Sequence, residues 1–216
     1  MISNPTYIQF NRDDPIQQPE WIIPGLRAGQ VCLITAPGGT GKSFLLLEIA
    51  MSVASGHTLL PGLEVTIGGK VCLLNFEDDA FDIKQRGNSI LRHFKDLEPD
   101  ENLFVASMSG YTLGLLNSSG EASENDVKWL KEQCEGVRLL VLDPLSHLHT
   151  ADENSASQMS KLIQVLKGIG QETGTGIIVA HHTGKNAVLN KQGGLQQSAR
   201  GSSALVDASK AYVKHL

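Results

Sequence analysis

With 216 residues, 41% of them hydrophobic and 19% charged, the chain is long enough for one α/β domain with a sizeable core. No apolar run approaches the roughly 18 residues of a membrane span, and Met1-Ile2-Ser3-Asn4-Pro5 lacks the basic-then-apolar order of a signal peptide, so a cytoplasmic location without membrane contact is expected. A formal net charge of −5 argues against a surface that coats nucleic acid all round. The three cysteines, Cys32, Cys72 and Cys134, form no CxxC motif and read as small buried hydrophobes rather than as metal ligands.

Residues 1–20 are polar and aperiodic, with Pro5, Pro15 and Pro19, and read as an N-terminal arm. Trp21-Ile22-Ile23-Pro24-Gly25-Leu26 is apolar and ends in a turn. It is expected to pack on the sheet edge, with proximity to a nucleotide base as the alternative. The run Val31-Cys32-Leu33-Ile34 then predicts a first strand. It leads into Ala36, Pro37, Gly38, Gly39, Thr40, Gly41, Lys42, Ser43 and Phe44, the last opening a helical pattern. Strand, glycine-rich turn, Gly-Lys-Ser and helix are the context of a phosphate-binding P-loop. The glycines let backbone N–H groups curl inward with no Cβ in the way, and the helix N-terminus adds partial positive charge. Lys42 would reach the β- and γ-phosphates, and the Ser43 hydroxyl would hold Mg²⁺, which prefers oxygen ligands. Ala36 stands where the pattern has Gly, a cost only if the loop demands a positive φ there.

Gly68-Gly69 turns into a second strand over 70–76, buried on both faces and ending in three acids, Glu77-Asp78-Asp79. Strand C-termini are where open α/β sheets gather ligands. Asp79 or Asp78 would cap the following helix, which runs to about Phe94, and Glu77 would face the phosphates as general base for a water. Residues 103–106 predict a short third strand, and 121–136 a helix with Gly136 as its stop. The Gly/Ser-rich stretch from Ser107 to Gly120 between them reads as a surface loop. The apolar run from Arg138 to Asp143 is a strand ending in one acid, the position from which an NTPase holds Mg²⁺. A helix follows from Ser155 to Glu172, with Met159, Leu162, Ile163, Leu166 and Ile169 on one face. The run 177–180 is a core strand ending in His181-His182, of which at most one can face a nucleotide, since neighbours on a strand point to opposite faces. Residues 184–199 form a long polar loop of the kind that is usually functional, and a last strand is expected over 208–216. Between His181 and Leu216 five basic residues face a single acid, Asp207, a local surplus suited to a polyanion.

In sum, APGGTGKS at 36–43, NFEDD at 75–79, VLDPLSHLHTADEN at 141–154, VAHHTGK at 179–185 and ARGSSALVDASKA at 199–211 resemble the RecA-like hexameric ATPases, and within them the RepA-type plasmid replicative helicases. The resemblance runs over nearly the whole chain from Trp21. It implies an α/β, RecA-like P-loop NTPase fold, a mostly parallel sheet flanked by helices, with the ATPase domain over 21–216. It also implies ATP and Mg²⁺ as cofactors, with Lys42 and Ser43 on phosphates and metal, Glu77 as the water-activating base and Asp143 as the metal-side acid. His182 would couple the γ-phosphate to the loop that follows. That loop, with Lys185 and Lys191, would touch single-stranded DNA in a hexameric ring. A basic residue, Lys210 (where Arg is common) or Arg200, would act as a finger on the neighbouring subunit's nucleotide. The chain stops at Leu216, where those helicases continue with further strands, so the interface or sheet edge is expected to be shortened. The alternative functions are a nucleotide-gated regulator that does not unwind DNA and, less well supported by the loop after His182, a small-molecule kinase.

Overall fold

The structure, a computed structural model, describes residues 7–16, 19–97, 101–182 and the backbone of 211–214. Six strands form one parallel sheet: β1 (Val31–Ala36), β2 (Val71–Asn75), β3 (Leu103–Ser107), β4 (Leu139–Asp143), β5 (Gly176–His182) and β6 (Ala211–Lys214). Their order across the sheet is β3-β2-β4-β5-β1-β6. Among the described residues four α-helices connect β1 to β5, α1 (Lys42–Ser55), α2 (Ala80–His93), α3 (Glu124–Gln133) and α4 (Ala156–Thr173), with a short 3₁₀ turn at Leu145–His147.

Helices cover both faces of the sheet, so β2 and β4 are buried at every residue, as their near-continuous apolar runs require. The period-2 alternation sorts each strand between two cores. Cys32, Ile34, Val71, Leu73, Leu139, Val141, Ile178 and Ala180 pack with α1. Their chain neighbours Val31, Leu33, Cys72, Leu74, Leu140, Leu142, Ile177 and Val179 pack with α3 and α4. The same parity carries on to the strand ends. Asn75, Asp143 and His182 belong to the α1 face, and His181 to the α4 face.

The Trp21–Leu26 segment packs into the core as expected, but at the start of a central strand rather than on the sheet edge. Ile22, Ile23 and Leu26 are buried in the α1-side core, and Ile22 lies against Gly176 at the start of β5. Gly176 stands at the N-terminal end of β5, a central strand flanked by β4 and β1, whereas the P-loop leaves the C-terminal end of β1, so the packing reading holds over the one beside a nucleotide base. All three cysteines are free and buried, and burial pushes the Cys32 thiol up to about 12. No helix among the described residues is long and apolar enough to cross a membrane.

Two expectations need correction. The 107–120 stretch is not a surface loop: Leu115 and Leu116 are fully buried and Leu113 nearly so. Its backbone docks on the segment after β4, with Leu113 N–H donating to His147 O (2.8 Å), Leu115 N–H to Leu148 O (3.0 Å) and Thr150 N–H to Leu116 O (2.9 Å). Polar residues around the leucines hid an apolar anchor of only three side chains. The helix expected from residue 121 begins at Glu124, because the Ser123 side chain accepts from Asp126 N–H and caps it there. Of the last strand, residues 211–214 pair parallel with β1, and the rest of 208–216 lies outside the described residues.

Candidate functional site

The C-terminal ends of β1, β5, β4 and β2 lie side by side. Ala36 pairs with His182 and Asn75 with Asp143. The P-loop leaves β1 at Ala36, whose place in an extended strand removes the concern over its φ. Gly39 (φ 76°) and Gly41 (φ 88°) take left-handed backbone, which a residue with a Cβ adopts only with strain. A Cβ added at Gly38, Gly39 or Gly41 would meet nothing within 4 Å. The bare backbone therefore borders open space, as a cradle for a ligand must.

Helix α1 starts there without a capping side chain and without an acid in its first turn. By contrast α2, α3 and α4 are capped by Asp79, Ser123 and Ser155. The uncapped first-turn N–H groups and the helix dipole leave a partial positive charge at the loop. Lys42 is buried, and its ammonium arcs over the loop to donate to Ala36 O and Pro37 O, both at 2.8 Å. Thr40 Oγ1 donates to Pro37 O at 2.8 Å and closes the turn. Burial pulls the Lys42 ammonium below the usual lysine range, opposed by the negative charges of Asp143 and Glu77. Phe44 is partly exposed, with 39% of its surface accessible.

Asp143 is 2% exposed. Burial pushes its carboxyl above the usual range, a hydrogen bond from Ser43 opposes that shift, and the charge of Glu77 adds to it. Ser43 and Asp143 thus meet, as the P-loop reading requires. The pair offers Mg²⁺ hard oxygen donors, and Mg²⁺ takes one or two protein oxygens with the remainder from phosphate and water.

The three acids after β2 have separate places. Asp79 caps α2 through Asp82 N–H at 2.9 Å. Asp78 is bound by both guanidinium nitrogens of Arg86, Nη2 to Oδ1 at 2.8 Å and Nη1 to Oδ2, and this hydrogen bonding holds its carboxyl below the usual range. Glu77 remains open, its side chain 42% exposed, and meets His182 with Oε2 3.4 Å from Nε2. Lys42, Ser43, Glu77, Asp143 and His182 therefore share one edge of the sheet.

His181 points to the other face. Burial lowers its pKa against the opposing charge of Glu153, with His182, His149 and Lys42 also lowering it. His149 is buried too and its pKa is lowered by the same cause. Arg200, Lys210, Lys185 and Lys191 lie outside the described residues.

Reading the sequence missed Asn75, Arg86 and the place of β5. Asn75 is 3% exposed, with its amide between Asp78 and Asp143. An amide at the end of an apolar strand, VCLLN, was the available signal. Nothing local in the sequence showed that β5 would lie between β4 and β1.

A family model described as an AAA domain matches residues 5–188. The match takes in the P-loop, Glu77, Asp143 and both histidines, and ends before Arg200 and Lys210. Among solved structures, one described as an ATPase domain superposes with a TM-score of 0.58 at 14% identity, covering 88% of this chain and 70% of that one. At that identity the likeness is one of fold, a RecA-like P-loop NTPase fold with a parallel sheet flanked by helices.

Proposed function

The chain belongs to the AAA domain family, and on that premise we propose that it hydrolyses ATP with Mg²⁺, as the motor of a ring of the plasmid replicative-helicase type acting on single-stranded DNA. The observation that carries the hydrolytic part is the meeting of an uncapped P-loop helix, a buried lysine, a Ser43–Asp143 pair and an open Glu77 at one sheet edge.

In this reading the loop N–H groups and Lys42 hold the β- and γ-phosphates, the lysine exchanging its two carbonyl partners for phosphate oxygens. Ser43 and Asp143 would hold Mg²⁺, which when bound would supply positive charge to offset that of the phosphate oxygens. Glu77 takes a proton from the attacking water, in line with the γ-phosphorus, and its open position leaves room for that water. His182, on Glu77 at 3.4 Å, senses whether the γ-phosphate is present and passes this to the residues after β5. The DNA contact through Lys185 and Lys191, and a finger in trans from Lys210 or Arg200, rest on the resemblance of the motifs at 179–185 and 199–211. A finger of this kind is worth about 10³–10⁵ in rate, so an isolated protomer is expected to be slow.

The test is steady-state ATP hydrolysis with and without single-stranded DNA, at low salt because phosphate contacts weaken steeply as salt rises. Several-fold stimulation supports the motor. Hydrolysis without stimulation would favour the nucleotide-gated regulator, and phosphate transfer to an added metabolite would favour a kinase.

A further inference from the structure

The Asn75 side chain uses its whole hydrogen-bonding capacity within the site. Its Oδ1 accepts from Glu77 N–H at 3.0 Å and Asp78 N–H at 2.7 Å. Its Nδ2 donates to Asp78 Oδ2 at 3.1 Å and Asp143 Oδ2 at 3.3 Å. An amide has two acceptor sites and two donors, and all four meet partners. The orientation follows from the partners, since a flipped amide would set NH₂ against two N–H groups and oxygen against two carboxylates.

The backbone around it is pinned as well. Phe76 N–H donates to Asp143 O at 2.8 Å, and Ser107 Oγ donates to Asp78 O at 2.8 Å. Asp78 is engaged by Arg86 from α2, so it is already committed within the turn. What these bonds fix in common is the course of the chain through Glu77.

We propose that Asn75 is the positioning residue for Glu77: its amide bridges the ends of β2 and β4 and holds the turn that aims the Glu77 carboxylate at the water. This rests on the reading of Glu77 as the base. All four partners of the Asn75 amide are protein groups, so its part is played through Glu77. Its loss frees the turn and leaves the carboxylates of Asp78 and Asp143 each short of a donor.

The experiment is a double-mutant cycle in single-turnover ATP hydrolysis, with nucleotide affinity followed by a fluorescent ATP analogue. Asn75→Ala is expected to bind the analogue as the wild type does and to hydrolyse about 10²-fold more slowly, the cost of a misplacement near 1 Å. In a Glu77→Gln background the same substitution is expected to slow the residual hydrolysis far less, by no more than the loss of the 3.3 Å contact to Asp143 brings, because a residue acting through Glu77 has nothing left to position. Asn75→Ser, which keeps one acceptor for the turn, should fall between and carries the cycle if the alanine variant fails to bind nucleotide. Wild-type turnover in Asn75→Ala, or an equal loss in both backgrounds, overturns the proposal. A failure of the underlying reading is separately visible as full hydrolysis by Glu77→Gln alone.

Discussion

Replacing Leu116 with alanine tests the docking of the 107–120 segment. Leu116 is fully buried in the core shared by α3, α4 and the inward residues of four strands. Its carbonyl accepts Thr150 N–H at 2.9 Å, within the stretch that follows Asp143. Deleting a buried leucine's outer carbons costs the lost transfer energy plus the cavity left behind, about 2–5 kcal/mol. For a domain near this size about 1 kcal/mol moves Tm by roughly 2–4 °C. The melting temperature should therefore fall by at least about 4 °C. Trp129 packs at the margin of the same core, so its fluorescence offers a local probe beside circular dichroism. Nucleotide affinity well below the new Tm should hold, because α1, which the P-loop opens, packs in the opposite core. A loss below about 0.5 kcal/mol, the size of a surface substitution, would refute the claim that this segment is part of the core.

Three further outcomes are expected. Asp143→Asn should raise the Tm of the nucleotide-free protein, since the folded state raises the carboxyl's pKa by burial and at neutral pH the charged form is a cost the amide does not carry. The same variant should lose Mg²⁺-dependent hydrolysis, and an unchanged or lower Tm would contradict the burial argument. Stability should fall as pH drops below about 6.5: burial lowers the pKa of His149 and His181, so the unfolded chain takes up protons that the folded chain refuses. His149→Leu should flatten that decline between about pH 7.5 and 5.5 in thermal melts, and an identical slope would contradict it. Gly68→Ala should destabilise by about 1–3 kcal/mol, because its Cβ would sit 2.8 Å from Gly56 Cα and 2.9 Å from Val53 O, both backbone atoms. An unshifted urea midpoint would contradict that crowding.

Much of the site was legible because its residues stand at the ends of apolar runs. Such runs locate strands, and strand C-termini in a parallel sheet gather on one edge, which brings Lys42, Glu77, Asp143 and one of His181 and His182 together from the sequence, the choice of His182 coming from the family resemblance. Of the two acids expected to cap the helix after β2, Asp79 does so. What stayed hidden is non-local. The order β2-β4-β5-β1 depends on which strands pair, and the burial of Leu113, Leu115 and Leu116 depends on a partner segment beyond α3 and β4. Beyond being an amide at a strand end, Asn75 carries no local signal of its role within the NFEDD run, because that role comes from Asp143 on the adjacent strand.

The most direct test of the account is release of inorganic phosphate from ATP under Mg²⁺ by the wild type and by Glu77→Gln, with ATP binding measured in parallel. The account predicts that the wild type releases phosphate and that Glu77→Gln binds ATP with unchanged affinity but releases phosphate only at a residual rate about 10²–10⁴-fold lower. Phosphate release by Glu77→Gln at the wild-type rate would contradict the assignment of the base, and the absence of ATP binding by the wild type would contradict the site itself.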